Sequence, residues 1–283
     1  MCIRDRMKTG TYVKAKADYD KCSDDNKPAR RLAKSCQVAM EITSSKSNIS
    51  LRPLPFNSAN DDFAPAITGD GIVFVSGRVS SNGNNSNEFT GGERYDIFYS
   101  NVDSLGIFSG PMPVEGGVNT KFNEGPATLA PNQKTAYFTR NSYHKGRQES
   151  AKPELKLAIY EAKVVDGKWK KARPFKFNNK EYSLGHPAIS PDGNTLYFVS
   201  DMPGGQGGTD IWYSVKLAGE WTAPTNAGST INTPGNESFP FVNSQNVLYF
   251  SSDWHPGLGG LDIFYIHLSK DKSDGVTNAG VPI

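Results

Sequence analysis

Ser190-Pro191-Asp192-Gly193-Asn194-Thr195-Leu196-Tyr197-Phe198-Val199-Ser200-Asp201 runs into Pro203-Gly204-Gly205-Gln206-Gly207-Gly208-Thr209-Asp210-Ile211-Trp212-Tyr213. This stretch decides the fold, because the chain repeats it. A later copy reads Val247-Leu248-Tyr249-Phe250-Ser251-Ser252-Asp253, then Pro256-Gly257-Leu258-Gly259-Gly260-Leu261-Asp262-Ile263-Phe264-Tyr265. The first copy has Gly71-Ile72-Val73-Phe74-Val75-Ser76-Gly77-Arg78, then Tyr95-Asp96-Ile97-Phe98-Tyr99. The second has Thr135-Ala136-Tyr137-Phe138-Thr139-Arg140, then Leu157-Ala158-Ile159-Tyr160. A proline precedes the first strand pair of each copy: Pro65, Pro126, Pro187 and Pro240, spaced by 61, 61 and 53 residues.

Each copy has one grammar. A short strand holds the proline. A tight turn follows, and Pro191-Asp192-Gly193 suits type I with Gly last. An aromatic and β-branched strand, a loop and a second such strand come next. A fourth segment ends in glycine, as in Trp221 to Gly228; Trp169 to Pro174 match its start. Four strands per repeat with near-continuous apolar middle strands predict a β-propeller. Leu196 to Val199 are apolar on both faces because such a strand is sandwiched between neighbouring blades. A β-sandwich of unrelated strands does not explain the register. The reading is mostly β: four recognisable four-stranded blades over 56–283, preceded by a short α-helical hairpin over 7–45 and a Ser/Asn/Pro-rich linker over 46–55. Thr277-Asn278-Ala279-Gly280 matches Thr225-Asn226-Ala227-Gly228, the bridge between the third and fourth copies. The propeller is therefore expected to be incomplete, truncated at its C-terminus.

In the hairpin, Tyr12, Ala15, Tyr19 and Cys22 recur at helical spacing, as do Ala29, Leu32, Ala33, Cys36, Ala39 and Met40. Asn26 suits a helix cap and Pro28 a first turn. Met1 to Arg6 resemble a translated sequencing adapter and are set aside with Cys2. A Cys22–Cys36 disulfide is disfavoured: their offset of eight residues from the turn is roughly 12 Å of helix, against about 7 Å for a bridge.

The 283 residues carry 31 basic and 29 acidic side chains, a net charge of +2. That gives no global bias toward nucleic acid. No apolar run reaches the length of a membrane span. Gly 28 and Pro 18 make turns frequent, while 15 Phe, 12 Tyr and 4 Trp supply core material.

The Ser190–Gly193, Leu196–Asp201 and Gly207–Trp212 motifs resemble the WD-like propeller repeat of TolB-like proteins. The Gly-Gly-x-Asp-Ile version, with Asn-Ser/Thr before the next blade (Asn57-Ser58, Asn119-Thr120, Asn232-Thr233), is similar to large OmpA-family envelope proteins. There, tetratricopeptide helices precede the propeller and a peptidoglycan-binding domain ends the chain; some members act with type IX secretion or gliding machinery. The resemblance implies a periplasmic or outer-membrane-associated protein whose partners are envelope proteins or cell-wall glycan. The second copy departs most, with Ala158 in place of the aspartate.

No cofactor or metal is expected. The glycine-rich loops lack a phosphate-loop order, and the four histidines lack ligand spacing. Asp201 with Asp210, and Asp253 with Asp262, flank two short loops and are read as turn-capping. Asp201, Asp210, Asp253, Trp254, His255 and Asp262 are the candidate binding residues. Glu124, Glu181 and Glu237 precede the proline strand in three copies, with Asp61 or Asp62 in the first. They are the lead for a carbohydrate-binding or glycoside-cleaving propeller. Repetition in each blade points instead to structure, so the expectation is a non-catalytic envelope scaffold or binding protein, not an enzyme. The variable loops 79–94 and 141–154 are its expected contact surface.

Overall fold

The structure is a computed structural model. It describes the chain apart from residues 1–5, 8, 23–24, 45–49, 79–93, 142, 145–146, 149–155, 269–274 and 282–283. The adapter-like start, part of the linker, most of the two long loops and the last two residues lie outside the described residues.

Four antiparallel sheets follow one another. The first blade is β1 (Asp62–Ile67), β2 (Gly71–Ser76), β3 (Asp96–Asn101) and β4 (Met112–Pro113). The second uses β5 (Glu124–Leu129) and β6 (Thr135–Asn141), then a small hairpin β7 (Tyr143–His144) and β8 (Arg147–Gln148), then β9 (Leu157–Val165) and β10 (Lys168–Pro174). The third is β11 (Leu184–Ile189), β12 (Thr195–Ser200) and β13 (Asp210–Leu217), with β14 (Glu220–Trp221) and β15 (Thr225–Asn226) both paired to β13. The fourth is β16 (Glu237–Val242), β17 (Val247–Ser252), β18 (Asp262–His267) and β19 (Thr277–Asn278).

β5 packs between β1 and β11, and β11 packs on β16. The proline strands are therefore innermost and line the central channel. Each carries a bulge, at Phe63/Ala66, Glu124/Ala127, Gly185/Ala188 and Ser238/Phe241. Proline has no N–H to give a ladder, and a bulge absorbs the missing bond. In three blades the residue before the proline adopts a left-handed backbone: Ala64, His186 and Phe239, with φ of 50, 50 and 51°. The second blade has Gly125 before its proline, and its strand opens two residues ahead of the proline rather than three.

The cores lie between blades. Val73, Ile97 and Val114 of the first blade meet Ala127, Phe138 and Trp169 of the second. Tyr137, Ile159 and Phe175 meet Leu184, Leu196 and Phe198. Ile211 and Ile231 meet Val242, Leu248 and Phe264. Burying such side chains is worth about 1.5–3 kcal/mol each.

The hairpin is α1 (Tyr12–Tyr19) and α2 (Lys27–Ser44). The Asn26 side chain accepts the Ala29 N–H at 3.1 Å, which caps α2. Met7, Ala15, Tyr19, Ala29, Ala33 and Cys36 form its core. Cys22 and Cys36 are free. The hairpin packs on the fourth blade: Arg31 lies over the Trp254 ring at 4.3 Å and donates to the Trp254 carbonyl at 2.9 Å. No described helix is long and apolar enough to cross a membrane.

Candidate functional site

Two of the three glutamates are fixed inside the blades. Glu124 and Glu237 open β5 and β16 and are fully buried. Glu237 accepts the Thr233 N–H at 2.9 Å, the Thr233 hydroxyl at 2.6 Å and the Ser252 hydroxyl at 2.7 Å. Glu124 takes the same bonds from Thr120, plus Arg140 Nε at 2.7 Å. Burial pushes its pKa up to about 7, against the pull of Arg140 and Thr120. Asp62 holds the place in the first blade. Burial raises its carboxyl, but bonds from Ser76, Ser58 and Arg78 together hold it below the ordinary range. In the third blade the position is Leu184, and Glu181 is exposed on the turn before it. These carboxylates tie each lead-in turn to its blade, and they do not form an open glycosidase pair.

The loop candidates are also engaged. Asp201 accepts the Ser183 N–H at 2.6 Å and Lys156 Nζ at 3.2 Å. Asp210 holds the Gln206 N–H and the Asn226 amide, and Asp262 holds the Leu258 N–H at 2.9 Å. Burial raises the pKa of both. Asp253 pairs with the Asn236 N–H and side-chain amide, at 2.8 and 2.9 Å. His255 Nε2 meets the Ile231 carbonyl at 2.9 Å, and its ring packs between Phe250 and Phe264. Trp254 carries Arg31. The six residues thus sit on one side of blades three and four, bound to their own loops, to the hairpin or, for Asp201, to Lys156 of the second blade. Among the described residues no group of three His, Cys, Asp or Glu gathers as a metal site.

Sequence reading missed a cleft between the first and second blades, at the opposite end of the strands from those loops. Its volume is about 540 Å³. Asp70 and Gln133 come from the first-to-second strand turns, Asn101 and Tyr99 from β3, and Asp166 from the β9–β10 turn. Glu115 and Lys168 bridge the blades at 2.7 Å, and the lysine holds the Glu115 carboxyl below its usual range. The Trp169 N–H donates to the Glu115 carbonyl. Gly116, at φ 110°, lets the Trp169 backbone approach where any Cβ would collide. One aromatic face, three carboxylates and two amides around a wet groove can receive hydroxyl-rich polar molecules. No motif announced it, since its residues come from two repeats and from turns without constant spacing.

A second cavity, of about 720 Å³, is apolar and opens on the channel between the fourth and first blades. Phe63, His186 and Phe239 meet at its inner edge.

No family model matches this chain, and no curated protein does. Solved structures of similar shape include TolB from Acinetobacter baumannii, at 16% identity and TM-score 0.39, covering 65% of this chain and 37% of that one. A Mycobacterium tuberculosis puromycin-hydrolysing peptidase gives 18% and 0.42, covering 77% and 38%. An exo-β-1,3-galactanase from Clostridium thermocellum gives 13% and 0.43, covering 76% and 48%. The chain spans less than half the length of each. The expectation that the chain is not an enzyme is corrected here: most of these neighbours are enzymes, so the propeller architecture gives no ground for excluding catalysis.

Proposed function

We propose that the chain is a ligand-binding β-propeller module of the cell envelope, and that the cleft between the first and second blades takes a cell-wall glycan. Asymmetry carries the reading. Strands, buried carboxylates and lead-in turns recur blade by blade, as a scaffold requires. Tyr99 and Asp70 stand at repeat positions, with Tyr213 and Asp192 in the third copy, but Asn101 and Asp166 of the cleft are replaced there by Val215 and Ala218. Carboxylate and amide oxygens accept sugar hydroxyls, and an aromatic face stacks on a pyranose ring. The repeat's resemblance to TolB-like and OmpA-family envelope proteins supports the compartment and gives glycan as the partner class. The same resemblance supports reading the hairpin as the end of a tetratricopeptide stretch, and a link to type IX secretion or gliding machinery.

Calorimetric titration with a soluble muropeptide mixture tests the cleft. Binding is expected in the wild type, with at least about a tenfold loss in Tyr99→Ala and in Asp166→Asn. Equal affinity in wild type and both variants overturns the cleft as the site.

A further inference from the structure

The outermost strand of a blade is short everywhere but in the second. β4, β14, β15 and β19 are two residues long, whereas β10 runs for seven at the edge of its sheet. It also carries the charge. Residues 163–176 hold Lys163, Lys168, Lys170, Lys171, Arg173 and Lys176 against a single acid, Asp166. All six cations are exposed. The matching segments Phe108–Val114, Thr222–Gly228 and Val276–Gly280 hold no charged residue. Lys168 meets Glu115 at 2.7 Å and Lys176 meets Glu220 at 3.4 Å. Lys163, Lys170, Lys171 and Arg173 form no ion pair with a described residue, and Glu161 is the acid in register with Arg173.

Two features of this edge cost stability. Lys163 stands directly opposite Lys170 across β9 and β10, and like charges so placed repel. A bulge between Lys170 and Arg173 puts Lys171 at φ 56°, a left-handed backbone that suits glycine or asparagine. Lysines and bulges guard an edge strand against stray pairing. Charge of either sign serves that purpose, and a repelling pair is no part of it.

The apolar side chains of this stretch turn inward: Trp169 and Phe175 are 3% and 4% exposed. The edge offers charge without an aromatic or aliphatic anchor. Nucleic-acid bases stack on exposed aromatics, and protein partners seat on apolar anchors, so neither fits. A bilayer rewards apolar side chains that enter it, which a row of cations lacks. A polyanion with a hydrophilic chain does fit a row of cations along about 20 Å of extended strand. Lys168 also lines the cleft between the first and second blades, so the row runs into that groove.

We infer that the outer edge of the second blade binds an acidic glycan chain, whose carboxylates pair with Lys163, Lys170, Lys171 and Arg173. The glycan class rests on the reading of the cleft; the demand for negative charge rests on the strand alone.

Titration of the whole chain with hexagalacturonate, which carries a carboxylate on each sugar, and with neutral chitohexaose tests this. Hexagalacturonate is expected to bind, more weakly as salt rises. Lys170→Glu with Lys171→Glu is expected to cost at least about tenfold in its affinity. That variant keeps a charged edge and removes the repulsion of Lys163, so its melting temperature should hold or rise, which separates lost binding from lost fold. Lys170→Gln with Lys171→Gln, which deletes charge without reversing it, should lose about threefold or more. Chitohexaose binding that Tyr99→Ala weakens and the lysine variants leave alone belongs to the cleft. If hexagalacturonate then binds no better than chitohexaose, or binds the lysine variants as tightly as the wild type, the inference falls and the cleft reading stands. Hexagalacturonate binding lost only in the lysine variants, with chitohexaose unbound, keeps the inference and removes the cleft. Tighter binding of poly-glutamate or of phosphatidylglycerol vesicles through the same lysines overturns the glycan as occupant.

Discussion

The Phe239 N–H donates to Nδ1 of His186 at 3.3 Å, and the two rings stack with centroids 4.2 Å apart. Both residues occupy the left-handed position before the proline of an innermost strand, in neighbouring blades. The contact therefore stitches the third blade to the fourth at the channel, and it needs an unprotonated Nδ1.

Burial holds the His186 pKa down at about 4, below the 6.5 of a free imidazole. Between pH 6.5 and 4 the unfolded chain binds a proton that the folded chain refuses. This contribution is complete above pH 6.5 and is lost as pH falls toward 4. His186→Asn tolerates the backbone and cannot titrate. In urea unfolding, the wild type should lose about 2 kcal/mol more than the variant between pH 7 and 4.5, after discounting for the partly exposed ring. Parallel pH profiles would contradict the assignment.

Glu237→Ala leaves two hydroxyls and an N–H without their buried acceptor. A loss of about 2–4 kcal/mol is expected by urea titration. Glu124→Ala also strands the Arg140 guanidinium and should cost about 3–5 kcal/mol. Glu181→Gln, on the surface, should stay within about 0.5 kcal/mol. A large effect at Glu181 alone would reverse the structural ranking of these carboxylates.

Asn232→Ala removes both bonds to the Ile211 backbone and one to Asn226 at 3.0 Å, a clasp between the lead-in of the fourth blade and the third. A cost of about 2–3 kcal/mol follows, with faster amide exchange at Ile211. Asn57→Ala, which loses one exposed bond to Leu54, should cost under about 1 kcal/mol. Similar losses at both sites would show that the clasp adds nothing beyond turn geometry.

Arg31→Ala deletes the cation–π contact with Trp254 and the bonds to the carbonyls of residues 253 and 254. The hairpin should then detach more readily, seen as faster proteolysis within residues 25–44, while the blades keep their exchange protection. Unchanged cleavage would place the docking energy elsewhere in the hairpin.

Sequence by itself determined the repeat, the four strands in each copy and the helical hairpin, and the contacts between blades placed the proline strands innermost. The first three rest on local periodicity, turn chemistry and register, which the chain writes out in order. Ser252 beside Glu237 and Asn232 beside Ile211 were visible only as motif letters; folding turned them into a carboxylate anchor and an asparagine clasp. Only the tertiary structure decided which carboxylates are equivalent. Leu184, paired with Ser200 as Glu237 is with Ser252, fills the place of Glu237, and Glu181 does not. It also decided that Trp254 serves the hairpin, and that Tyr99, Asp70, Gln133 and Asp166 converge on one cleft. Such sites join turns from different repeats, and their spacing in the chain carries no trace of their distance in space. The exposed Ile263 makes the same point. Its letter is identical to Ile97, Ile159 and Ile211, and only its exposure in three dimensions sets it apart.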